Sequence, residues 1–127
     1  MQIGFIGAGF MGYGIALNLM KSRHLLRVIA NRKRDNIEKL IGQGATEAQD
    51  YNDLLVGAEA VVSCVGTADQ IENIVTKSEP HLEKNTLWID CTTSMPQTAV
   101  AICKRLKKIG VGFVDAPVTR GPQDALA

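Results

Sequence analysis

Six residues, Gly7-Ala8-Gly9-Phe10-Met11-Gly12, constrain what this chain can fold into more than any other stretch. They follow the apolar run Gln2 to Ile6 and open a second run, Tyr13 to Met20; Met11, Ile15, Leu19 and Met20 recur at helical spacing around Ala16. Strand, tight turn and helix is the order this pattern predicts. Within it Gly7 permits the turn, Gly9 lets a pyrophosphate come close to the backbone, and Gly12 lets the helix pack closely on its strand. Free amides at the helix start would face the phosphates, so all six residues are expected at a nucleotide. Glycine is common, and the spacing carries weight only because a strand and a helix flank it. A glycine turn without a ligand is the alternative.

The next segment bears on which nucleotide. Leu25 to Ala30 is almost continuously apolar and predicts a buried second strand. In a dinucleotide-binding unit an acidic residue about 20 positions past the glycines holds the adenosine ribose, whereas a basic one admits a 2′-phosphate. Asn31-Arg32-Lys33-Arg34 stands at that place, with no carboxylate and three cations. Arginine can hold a phosphate through two donors at once. These four residues are therefore expected at the cofactor, with NADP favoured and NAD also admitted. The alternative is a solvated basic turn.

The remaining chain alternates strand and helix. Asp35 to Ile41 predicts a short helix with Ile37, Leu40 and Ile41 inward, stopped by Gly42-Gln43-Gly44. Ala45 to Ala48 is a short third strand, and Asp50 caps a turn of helix bearing Leu54, Leu55 and Val56. Ala60 to Val65 is a buried fourth strand. Ligands of open α/β sheets lie outside the carboxyl ends of the strands, so Val65, Gly66 and Thr67 are expected beside the pyrophosphate or the nicotinamide ribose. A helix from Ala68 to Lys77, a fifth strand from Thr86 to Asp90, a helix from Pro96 to Ile109 and a sixth strand from Val111 to Asp115 follow. Between the fifth strand and its helix lie Cys91-Thr92-Thr93-Ser94-Met95, whose hydroxyls suit a ribose or substrate oxygen and suit a helix cap equally well. The whole predicts one domain, residues 1–127, built as an α/β doubly wound parallel sheet in three layers (αβα, Rossmann type) with strand order 3-2-1-4-5-6.

Composition narrows the partners. A formal charge of +1 on 127 residues gives no broad basic surface for nucleic acid or membrane. A small molecule is the expected partner, and self-association stays open. No apolar run has the length of a membrane span, and the first strand begins at Gln2, so a cytoplasmic location is expected. Cys64, Cys91 and Cys103 are odd in number and lack C-x-x-C spacing, which predicts buried thiols rather than disulfides or a metal site.

Taken together, these loops resemble the amino-terminal domain of the β-hydroxyacid dehydrogenases, the group of 3-hydroxyisobutyrate dehydrogenase and glyoxylate or succinic semialdehyde reductases, related to 6-phosphogluconate dehydrogenase. Gly4 to Gly12 with Ala16-Leu17-Asn18-Leu19 resembles that family's cofactor signature, Asp90 to Pro96 its second cofactor motif, and Asp115-Ala116-Pro117-Val118-Thr119 its substrate motif. The resemblance implies that Thr93 lies by the nicotinamide ribose and that Thr119 takes the place of a substrate-binding serine. It also implies that Asn31-Arg32 matches members that prefer NADP. Arg120 stands where many relatives have glycine, and could add an anchor for a substrate carboxylate.

The family's catalytic lysine and helical domain would lie beyond Ala127. No residue of this chain is therefore assigned that role, and Lys104, Lys107 and Lys108 are expected on a solvated helix face. The reading that results is an NADP-preferring domain of an oxidoreductase that moves hydride between NADP and a small β-hydroxyacid or aldehyde acid, the chain alone binding cofactor without turnover. Two rivals remain: an imine reductase of the pyrroline-5-carboxylate reductase type, and a non-catalytic nucleotide sensor or regulatory domain.

Overall fold

The computed structural model describes residues 1–30, 33–93 and 95–117. Six parallel strands form one sheet: β1 Gln2–Ile6, β2 Leu25–Ile29, β3 Thr46–Glu47, β4 Ala60–Ser63, β5 Leu87–Asp90 and β6 Gly112–Asp115. Their order is β3-β2-β1-β4-β5-β6, as the alternation of strand and helix predicts. The connecting helices are α1 Gly12–Lys21, α2 Asp35–Gly42, α3 Tyr51–Leu55, α4 Ala68–Ser78 and α5 Pro96–Lys107. The order in which strands are added to the sheet reverses between β1 and β4, and that switch point opens a crevice at the strands' carboxyl ends.

Each face of the sheet has its own core because successive strand residues point to opposite sides. Ile3, Phe5, Val28, Leu40 and Val62 pack with Ala16 of α1 on one face. Leu54, Val61, Ile71, Trp88 and Leu106 pack on the other, under α3, α4 and α5. Helix α1 buries Gly12, Gly14 and Ala16, while Ile15, Leu19 and Met20 are only partly covered. Its small residues, not its large ones, set how closely it lies on the sheet.

Several expectations need correction. Strand β2 is not continuously buried: it alternates, and Leu25 is 71% exposed at the sheet's lower edge. β3 shrinks to two residues and β4 ends at Ser63. There the Val65 N–H leaves the ladder and donates to Thr92 Oγ1 at 3.0 Å. Cys103 is exposed rather than buried, Cys64 is only partly covered and Cys91 is buried. Asp50 caps α3 as expected, its Oδ1 accepting from the Asp53 N–H at 2.8 Å. At α5 the capping position falls to Met95, whose side chain makes no capping hydrogen bond, so Thr92 and Thr93 do not cap that helix. Lys104, Lys107 and Lys108 are exposed, as a solvated face requires.

Candidate cofactor groove

An open groove of about 900 Å³ lies across the carboxyl ends of β1, β2, β4 and β5. The glycine turn forms its floor, and the three glycines do different things. Gly7 has φ +97°, and a Cβ there would sit 2.1 Å from the Cys64 carbonyl oxygen. At Gly12 a Cβ would sit 1.8 Å from the carbonyl oxygen of Gly7. Packing alone therefore demands glycine at both places. Gly9 is different, since among the described residues a Cβ there would meet nothing within 4 Å. The fold does not need that glycine, whereas a phosphate lying against the backbone would. Phe10, 83% exposed, stands on the lip of the same groove.

At the β2 end, Lys33 lines the groove. Arg34 does not. Its guanidinium bridges Glu38 at 2.8 Å and Glu47 at 2.9 Å, which holds Glu47 below the usual carboxylate range and raises the arginine further. Arg34, expected at the cofactor phosphate, is thus committed to joining α2 to β3. Asn31 and Arg32 lie outside the described residues, as do the substrate candidates Thr119 and Arg120.

At the β4 and β5 ends the polar groups are buried and hydrogen-bonded to one another. Asp90, 1% exposed, accepts at Oδ1 from Ser63 Oγ at 2.8 Å and from the Thr92 N–H at 3.1 Å. The Trp88 indole N–H donates to Ser63 Oγ at 2.9 Å. Burial pushes the Asp90 carboxyl above its ordinary value, against the pull of these hydrogen bonds. Burial likewise raises the two thiols that line this end, Cys64 and Cys91, the latter to about 11. Both stay protonated and unreactive near neutral pH.

Val65, Gly66 and Thr93 line the groove. The Gly66 N–H, however, already donates to Gln70 Oε1 at 2.7 Å. Thr67 is the capping residue of α4: its hydroxyl accepts from the Gln70 N–H at 3.2 Å, and Gln70 Oε1 accepts from the Thr67 N–H at 3.0 Å. It serves the helix, not the groove. Sequence reasoning missed Asn36, Tyr51 and the row Gln70, Asn73 and Lys77, all of which line the groove. The row has a legible signal, since three polar residues spaced three and four apart share one helix face. Nothing local marks Asn36 or Tyr51.

A doubly wound sheet with a ligand-sized opening at its switch point, and a glycine turn whose middle glycine leaves the backbone open to that groove, defines the class of dinucleotide-binding domains. A family model of the NAD binding domain of 6-phosphogluconate dehydrogenase matches residues 2–127. The chain belongs to that family. It is 32% identical over 129 residues to the NAD-dependent L-serine dehydrogenase of Pseudomonas aeruginosa, a match that takes in 99% of this chain and 43% of that protein. Among solved structures, Mycobacterium tuberculosis 3-hydroxyisobutyrate dehydrogenase with L-serine superposes with a TM-score of 0.92 at 22% identity, over 98% of this chain and 43% of that one. An imine reductase from Myxococcus stipitatus in complex with NADP⁺ gives 0.88 at 22% identity, over 97% and 43%. At those identities the likeness of the two structures is one of fold. The chain spans less than half the length of these relatives.

Proposed function

We propose that this domain holds NADP in preference to NAD for an oxidoreductase that moves hydride between the cofactor and a small hydroxy acid or aldehyde acid. The observation that carries the reading is the open face of Gly9 in one groove with Lys33. A pyrophosphate can lie on the first while a cation stands near the second. NADP supplies the hydride chemistry when bound. The chain's own residues do the holding: the glycine turn cradles phosphate, Lys33 faces added negative charge, and Thr93 offers a hydroxyl at the β5 end. The hydroxy-acid part rests on the names of the relatives, and the three free thiols fit a reducing cytoplasm.

One observation favours NAD as the second reading. Asp35 also lines the groove, and a carboxylate there could accept from ribose hydroxyls. Side-by-side titration with NADPH and NADH separates the two. NADPH is expected to bind more tightly, with Lys33→Ala and Arg32→Ala each weakening it by about tenfold and leaving NADH nearly unchanged. Equal or tighter binding of NADH would favour Asp35 and remove the NADP preference.

A further inference from the structure

Asn36 makes a contact that neither the glycine pattern nor the family match assigns. Its Nδ2 donates to the carbonyl oxygen of Gly9 at 3.2 Å, across from α2 to the glycine turn. The same oxygen accepts from the Tyr13 N–H at 3.1 Å, the first bond of α1. Two donors on one side therefore fix the direction of the Gly9 carbonyl. In a trans peptide the carbonyl and the following N–H point opposite ways, and the described residues contain no cis bond. Holding the Gly9 carbonyl toward α1 and α2 aims the Phe10 N–H away from them, in a turn whose Gly9 and Phe10 both line the groove.

The start of α2 is itself anchored. Arg34 ties it to Glu47 of β3, and Lys33 precedes it in the groove. The asparagine thus connects the segment that carries the described cation to the turn that receives the pyrophosphate.

We propose that Asn36 is a positioning residue for phosphate recognition: it sets the Gly9–Phe10 peptide so that the Phe10 N–H meets the cofactor pyrophosphate. This rests on the dinucleotide reading above. It assigns Asn36 no contact with the cofactor and no part in hydride transfer. Its effect follows the ligand's 5′-phosphate, and an adenosine ligand without that group does not sense it.

The test uses three ligands on the whole chain: NADPH, adenosine 2′,5′-bisphosphate and adenosine 2′-monophosphate. The last lacks the phosphate that would touch the turn. With Asn36→Ala, the first two are expected to bind about fivefold more weakly, the scale of one ordinary hydrogen bond, and the third to bind within twofold of the unmodified chain. Asn36→Leu should behave like Asn36→Ala. Asn36→Gln, which keeps a donor, should restore part of the loss. Asn36 is solvent-accessible, and thermal unfolding of each variant confirms that the fold persists. A second readout is the Phe10 amide proton, which should move downfield on adding NADPH to the unmodified chain and move less in Asn36→Ala. Equal weakening of all three ligands, or of none, would overturn the proposal while leaving the dinucleotide reading in place. Failure of the unmodified chain to bind any of them would remove both.

Discussion

The two ends of the groove are built in opposite ways. At the β2 end, charged side chains lie exposed on the surface and are matched in pairs, Arg34 with Glu38 and Glu47. At the β4 and β5 ends, Ser63, Trp88, Asp90 and Thr92 form a buried web in which, among the described residues, the single carboxyl has no cation hydrogen-bonded to it. Exposed pairs contribute little to stability and can change at small cost. Buried polar groups are costly to leave unpaired, so their neighbours are fixed. One end can be retuned for a different nucleotide, while the other is tied to the core beneath it. The glycine turn joins them, with Gly7 packed against the β4 end and Gly9 open to the groove.

The sharpest break in this contrast lies at Gly7. Gly7→Ala adds a Cβ 2.1 Å from the Cys64 carbonyl at a backbone angle that L-residues avoid. It should destabilise the fold by about 3 kcal/mol or more, read as a lowered urea midpoint. Asp90→Ala comes next. Two buried donors lose their acceptor, and a loss of about 2 to 3 kcal/mol is expected. Gly9→Val tests the other side of the turn. Stability should change by less than about 0.5 kcal/mol, as at an unconstrained surface position. Binding should nevertheless fall by at least about a hundredfold, because the side chain takes the pyrophosphate's place. Retained binding in a folded Gly9→Val variant would show that the nucleotide lies elsewhere.

The sequence made the fold legible because its signals are local and repeated: a glycine turn after a strand, apolar runs of strand length, and helices between them. The different tasks of Gly7, Gly9 and Gly12 are legible from their spacing, but not what Gly7 packs against. That partner is Cys64, far away in sequence, which the sheet brings against Gly7. Arg34 misled for a related reason. Its identity suited a phosphate, yet Glu47 on the neighbouring strand and Glu38 one turn along its own helix take both edges of its guanidinium. Thr67 was claimed by its own helix through Gln70, a capping pair that the Thr-x-x-Gln spacing announces. Ser63 and Asp90 sit at paired positions of β4 and β5, a register that the order of strands implies but that no single segment displays.

The smallest expected effect separates the two ends by the sign of their response to acid. Glu47 has its folded value below the ordinary 4.5 because Arg34 donates to it. A depressed carboxylate lends stability that is present above its unfolded value and is lost as pH falls through its folded value. Asp90 is raised above the ordinary 3.8, chiefly by burial. Its increment is therefore present below the unfolded value and is lost as pH rises through the folded one. Between them the ends oppose each other in mildly acidic solution. Arg34→Met removes the first effect, so the variant should melt lower than the unmodified chain by no more than about 3 °C at pH 7, with the gap closing toward pH 3. Asp90→Asn removes the second, so its stability relative to the unmodified chain should improve as pH rises from 3 toward 7, whatever its absolute value. Melting curves of the three proteins at four or five pH values are sufficient to show both trends. A gap for Arg34→Met that persists unchanged at pH 3 would mean that packing, not charge, joins α2 to β3, and the contrast between an exposed ionic end and a buried hydrogen-bonded end would lose its ionic half.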